Sequence, residues 1–184
     1  MAPEVTFYGV ISDERFEKLK ALKLLVCDID GVFSDGRIYL GNDGEELKAF
    51  HTRDGYGIKA LVKSGVEVAV ITGRESAIVE RRMRTLSVKY VIQGQEDKAT
   101  AMAKLCKDLA LVPTQVAAMG DDMPDLGLYE FADTKIAVKD AHPAITREAN
   151  WITTKPGGYG AVREVCDVIL QAHGKLNSIH GASI

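Results

Sequence analysis

The chain has 184 residues, 46% of them hydrophobic, with a formal net charge of -3, which suits one domain with a substantial core and argues against dominant disorder. The mild acidity gives no support to a basic nucleic-acid surface, so no nucleic-acid partner is expected. No apolar stretch approaches the roughly 20 residues that span a bilayer, and Met1-Ala2-Pro3-Glu4 lacks the basic-then-apolar order of a signal peptide; no membrane partner and a cytoplasmic location are therefore expected.

In chain order, Ser12 is placed to cap a helix over 13–22, ahead of a strand over 24–27. Gly41-Asn42-Asp43-Gly44 is a strong turn signal between strand-like runs at 37–40 and 46–51, predicting a β-hairpin over about 37–51 whose free edges need a covering surface. That hairpin is either solvated or an oligomer contact that also walls a site. Helix 57–63 stops at Ser64-Gly65, strand 66–71 leads to helix 77–86, and strand 90–92 leads to helix 98–109. Strand 116–119, helix 125–131, strand 135–137, a weaker strand 151–153 and helix 161–173 complete the chain. Alternating β-branched runs and amphipathic stretches predict one α/β domain, a parallel sheet wrapped by helices. Cys27, Cys106 and Cys166 sit in apolar stretches without metal-ligand spacing and read as reduced core thiols.

Polar residues cluster where the strands end, the place where open α/β sheets bind ligands. Asp28 and Asp30 share one face of an extended segment, so they repel unless a cation or substrate joins them; the alternative is a surface turn at Asp30-Gly31. Thr72-Gly73-Arg74 offers a hydroxyl, close backbone approach and a nearby helix start to an anion, or is a plain connecting turn. Lys98 opens a helix and, taken alone, reads as a solvated lysine. Gly120-Asp121-Asp122-Met123-Pro124-Asp125 sets three carboxylates around a helix start, where any one of them suits a cap.

Taken together, the order Asp-x-Asp, Thr-Gly, Lys, Gly-Asp-Asp-x-x-Asp resembles the haloacid dehalogenase-like phosphohydrolases over residues 23 to about 176. The stretches Gly-Asn-Asp-Gly-Glu-Glu-Leu-Lys-Ala-Phe, Arg-Asp-Gly-Tyr-Gly-Ile, Gln-Gly-Gln and Asp-Ala-His-Pro, and the Gly160 to Cys166 run, resemble the 3-deoxy-D-manno-octulosonate 8-phosphate phosphatases within that superfamily. The resemblance implies a Rossmann-like three-layer α/β/α sandwich with a mostly parallel sheet, a protruding hairpin and no cap domain. It implies Mg2+ held by Asp28, the Asp30 carbonyl and Asp121, with Asp122 and Asp125 orienting metal waters or Lys98. Asp28 would be the nucleophile, Asp30 the proton donor and then the base; Thr72 and Gly73 would bind the phosphoryl oxygens and Lys98 would neutralise charge.

The same resemblance implies a sugar-phosphate substrate, a place in lipopolysaccharide synthesis, and a homotetramer in which a neighbouring subunit helps to enclose the site. The spacing of Arg74, Ile78, Arg82 and Thr85 predicts one helix face, with Arg74 and Arg82 suited to the substrate's carboxylate or merely part of a solvated basic face. Relatives acting on nine-carbon ulosonate phosphates typically carry Glu where Arg74 stands. The tail over 177–184 is either frayed or folded over a neighbouring site, and Tyr159 stands where relatives can carry Arg. A nine-carbon ulosonate or broader sugar-phosphate phosphatase, and a noncatalytic metal-binding scaffold, are the alternatives.

Overall fold

The computed structural model describes residues 3–180. The apolar run Leu24–Cys27 forms strand β3, each residue of it buried. Its side chains alternate between two cores, Leu25 and Cys27 on one face and Leu24 and Val26 on the other, which is why the segment is apolar throughout and not amphipathic. β6 (Glu67–Ile71), β7 (Tyr90–Ile92), β8 (Val116–Gly120), β9 (Thr134–Ala137) and β10 (Trp151–Ile152) join it in the order β10-β9-β8-β3-β6-β7. All five pairings are parallel.

The topology places the site. β3 lies between β6 and β8, and Cys27 is level with Val70 on one side and Met119 on the other. Chains leaving these strands therefore bring Asp28, Thr72 and Asp121 to one edge of the sheet, at the point where the strand order reverses. Helices α1 (Asp13–Lys20), α2 (Thr52–Lys63), α3 (Ala77–Thr85) and α7 (Ala161–Ala172) contribute to one core; α4 (Lys98–Asp108), α5 (Leu126–Tyr129) and α6 (Pro143–Glu148) contribute to the other. This is the expected three-layer α/β/α arrangement. Ser12 caps α1 as expected, accepting from the Arg15 amide at 3.3 Å, and all three cysteines are buried and free.

Several expectations need correction. α2 begins at Thr52, five residues before the predicted start, with His51 Nδ1 accepting from the Arg53 amide at 3.1 Å. Gly55 and Gly57 obscure this first turn in the sequence, yet Gly57 is favoured by packing: a Cβ there would crowd α7, standing 3.0 Å from Arg163 Cδ and 3.1 Å from Cys166 Cβ. Predicted helix 125–131 is instead a 3-10 turn, Met123–Asp125, followed by the short α5, because the Asp122 carboxylate accepts from the Met123 amide and Pro124 sits in the turn's opening residues, where its missing N–H costs nothing.

An N-terminal hairpin, β1 (Glu4–Thr6) and β2 (Gly9–Ile11), was not expected from its three-residue strands. Tertiary contact holds it, with Tyr8 Oη donating to Asp167 Oδ2 at 2.8 Å and Gln171 Nε2 to the Val5 carbonyl at 2.9 Å, both on α7. α6 was also unexpected; His142 caps it through Nδ1.

The predicted central hairpin is present but shorter. Its strands are only β4 (Tyr39–Leu40) and β5 (Glu46–Leu47), paired Tyr39 to Leu47 and Leu40 to Glu46. A two-stranded ribbon without a covering layer gains little from extending further, and Tyr39, Leu40 and Leu47 are exposed on the single chain. After α7 the chain makes a turn over residues 176–178; 181–184 lie outside the described residues.

Candidate active site

A cleft of about 570 Å3 opens at the sheet edge, lined among others by Asp28, Asp30, Thr72, Gly73, Arg74, Lys98, Asp121, Asp122 and Asp125. Nine of the ten site residues expected from the sequence thus meet in one place. Arg82 is the exception: it does not line the cleft, and burial lowers its pKa, with Asp54 the charge that offsets this. The predicted shared helix face also fails, because α3 starts at Ala77 and Arg74 lies in the loop before it.

The centre of the cleft is a buried group of carboxylates around one ammonium. Lys98, at the first turn of α4, donates from Nζ to Asp28 Oδ1 at 2.7 Å and to Asp125 Oδ1 at 2.6 Å. Asp125 Oδ2 accepts from the amides of Asp121 at 2.9 Å and Asp122 at 3.3 Å. Both oxygens of Asp125 are thereby committed to holding Lys98 and the loop after β8. The Asp28 amide donates to the Met119 carbonyl at 3.1 Å, which ties the backbone of Asp28 to the neighbouring strand.

Three carboxylates to one ammonium leave excess negative charge. Burial, then the Asp125 charge, push Asp28 up to about 7 despite Lys98, and burial, Asp125 and Asp28 push Asp121 up to about 8. Burial opposes the charge of Lys98, but Asp28 and Asp125 outweigh it and raise its pKa. One oxygen each from Asp28, Asp121 and Asp125 lie within 4.8 Å of one another. A hard divalent cation with oxygen ligands fits this donor set and would supply the missing positive charge; Asp28 and Asp121 are the ligands with capacity to spare. Gly31, at φ +96°, lets the chain turn against Asp121, whose carboxylate would collide with any Cβ at that position.

On the opposite flank, the Thr72 amide donates to the Ile92 carbonyl at 2.9 Å and the Thr72 carbonyl accepts from Gln95, fixing the loop after β6. The Thr72 hydroxyl, in a residue 2% exposed, has no protein hydrogen bond among the described residues, and the space beside Gly73 is open. Tyr159 Oη reaches Asp35 at 3.4 Å, outside the cleft lining.

The structure adds two residues that sequence reasoning missed. Lys48, following β5, donates from Nζ to Asp30 Oδ1 and stands 3.3 Å from Glu46 Oε1; Glu46 Oε2 accepts from Arg74 at 2.7 Å. The Arg74 bond first, with Lys48 behind it, holds Glu46 below the usual carboxylate value. The available signal was the period of an extended strand, which puts Glu46 and Lys48 on one face of a hairpin that follows Asp30 directly.

This fold, with acids on adjacent strand tips and a lysine between them, defines the class of haloacid dehalogenase-like hydrolases, whose family model matches residues 91–164. Over 179 residues, 97% of this chain and 95% of the relative, the sequence is 48% identical to the 3-deoxy-D-manno-octulosonate 8-phosphate phosphatase KdsC of Escherichia coli K12. The crystal structure of the phosphatase of that name from Yersinia pestis superposes with a TM-score of 0.96 at 47% identity, covering 100% of this chain and 99% of that one. A Moraxella catarrhalis phosphatase of the same name, solved with magnesium, phosphate and a KDO molecule, superposes at 0.88 with 43% identity over 90% of this chain and 95% of that one. The chain belongs to the 3-deoxy-D-manno-octulosonate 8-phosphate phosphatase family of haloacid dehalogenase-like hydrolases.

Proposed function

We propose that the protein is a Mg2+-dependent phosphatase that releases inorganic phosphate from 3-deoxy-D-manno-octulosonate 8-phosphate, as its relatives' names describe. The observation that carries this reading is the Asp28 carboxylate at the cleft floor, bonded by Lys98 and grouped with Asp121 in a donor set short of positive charge. Asp28, the Asp30 carbonyl and Asp121 would hold the ion, with Asp122 and Asp125 behind them. Bound there, Mg2+ supplies charge that offsets the repulsion between a phosphate dianion and an attacking carboxylate.

The remaining chemistry falls to side chains. Asp28 attacks phosphorus, forming an aspartyl-phosphate, while the Asp30 carboxyl passes its proton to the departing sugar oxygen. Asp30 then takes a proton from the water that cleaves the aspartyl-phosphate. The Thr72 hydroxyl and the Gly73 amide bind phosphoryl oxygens, and Lys98 spreads charge between phosphate and Asp28. Arg74, at the cleft wall, is suited to the substrate's carboxylate once that anion competes with Glu46.

With the hairpin's apolar side chains exposed and no cap domain over the cleft among the described residues, the working form is a homotetramer in which hairpins meet and a neighbour closes the site. Arg82 and the tail beyond residue 176 would then act at a neighbour's cleft. No helix among the described residues is long and apolar enough to cross a membrane, in keeping with a cytoplasmic enzyme that feeds lipopolysaccharide synthesis.

The test is phosphate release from octulosonate 8-phosphate with and without Mg2+. Turnover that requires the metal and falls about 10⁴-fold or more in Asp28→Asn is expected. No turnover, or equal specificity constants for nine-carbon ulosonate phosphates, would reject the assignment. Light scattering after size exclusion that showed a fully active monomer would reject the tetramer.

A further inference from the structure

Lys48 presents an arrangement that the assigned roles do not use. Its side chain has no exposed surface although it follows the exposed hairpin, and its ammonium lies on Asp30 Oδ1. Among the described residues Asp30 Oδ1 has no other protein partner, and Oδ2 has none. On its far side Lys48 faces Glu46 Oε1, a buried oxygen without a hydrogen bond of its own, 3.3 Å away. Glu46 in turn is moored through Oε2 to Arg74, whose side chain is about half exposed at the cleft wall. A buried ammonium set between two carboxylates is expensive to desolvate and persists when its place is over-determined.

We propose that Lys48 is a positioning residue for Asp30: it anchors one carboxyl oxygen so that the other stays directed to the leaving oxygen, and Glu46 keeps Lys48 at that post. The hairpin thereby supplies part of the proton-transfer apparatus as well as a wall. The inference rests on the assignment of Asp30 as proton donor and deepens it. During P–O cleavage the proton leaves Asp30 Oδ2 for the sugar oxygen, while Oδ1 remains bonded to Lys48. In the second step Oδ2 recovers a proton from the attacking water.

A leaving-group comparison tests this. Lys48→Met, Lys48→Arg and Glu46→Gln are assayed with Mg2+ on octulosonate 8-phosphate, on a hexose 6-phosphate, and on p-nitrophenyl phosphate, whose leaving group departs without a proton. Lys48→Met should lower kcat/KM, which reads the transfer step and not the later hydrolysis of the aspartyl-phosphate, about 10- to 100-fold on both alkyl phosphates and about 3-fold or less on p-nitrophenyl phosphate. Lys48→Arg should recover most of the loss, and Glu46→Gln should show the same pattern more weakly. An equal loss on all three substrates, or no loss on the alkyl phosphates, overturns the positioning role. The hexose and p-nitrophenyl arms read that role even if octulosonate 8-phosphate proves a poor substrate, so the two assignments fail separately.

Discussion

The two flanks of the cleft are built on different principles. The floor sets Asp28 and Asp121 at the ends of the central strands β3 and β8, with Lys98 on α4 bonded to Asp28 and Asp125 and one ammonium facing three carboxylates. The wall, Lys48, Glu46 and Arg74, belongs to a ribbon with two residues per strand and to the loop after β6. A rigid floor suits the step common to every phosphate ester, which demands alignment. The wall faces the leaving group, the part that differs between substrates, through Lys48 on Asp30 and through Arg74, and it lies where another subunit could reach it.

If that division is right, removing the metal should have the largest effect. Chelation should abolish turnover, and it should also expose the electrostatic debt of the floor as a pH-dependent loss of stability. Asp28 and Asp121, pushed up to about 7 and 8 in the metal-free chain, have pKa values near 4 when unfolded. The folded state therefore binds more protons than the unfolded one between those values, and stability falls as pH rises from about 4 through 8. Thermal melts should show the metal-free protein less stable at pH 8 than at pH 5.5, with Mg2+ raising Tm more at the higher pH. An equal Mg2+ effect at both would place the ion elsewhere.

Next in size is Lys98→Met, which leaves Asp28 and Asp125 without their shared cation. kcat should fall about 10³-fold on every phosphate ester, including p-nitrophenyl phosphate, and denaturant unfolding should show a loss of about 3 kcal/mol. Arg74→Glu should act on the wall alone, weakening kcat/KM for octulosonate 8-phosphate about 10- to 100-fold while p-nitrophenyl phosphate, which has no carboxylate and a leaving group that needs no proton, changes little. Equal losses on both substrates would remove Arg74 from carboxylate recognition.

The smallest effect concerns the support behind both flanks. In Gly57→Ala the new methyl meets α7 at Arg163 and Cys166, a crowding that outweighs the gain in helix propensity and should cost about 1 kcal/mol. Steady-state kinetics below the melting transition should remain near those of the parent, since the α2–α7 contact lies away from the cleft lining.

Much of the floor was legible in the chain because each of its residues sits at the end of a local pattern. Asp28 follows a four-residue buried run and Asp121 a five-residue one, while Thr72 on the opposite flank follows a strand buried at its last four positions, and the parallel order then brings the three ends together. The wall was less legible. Arg74 and Arg82 carry a helical spacing, but the helix begins after Arg74, so that periodicity described a segment that is partly loop. Lys48 looks like any solvated lysine on a polar hairpin until the ribbon folds down and buries it on Asp30.

By itself the sequence determined which residue types stand at which strand ends, and through them the fold class and the demand for a hard cation, because strand burial and strand-end chemistry are local in the chain. Only the tertiary structure decided the partners: Asp125 for Lys98, Lys48 for Asp30, Glu46 for Arg74, and α7 for Gly57 and the N-terminal hairpin. Those choices depend on which charges and surfaces meet across 18 to 159 residues of chain, and pairing at such separations leaves no period in the sequence to read.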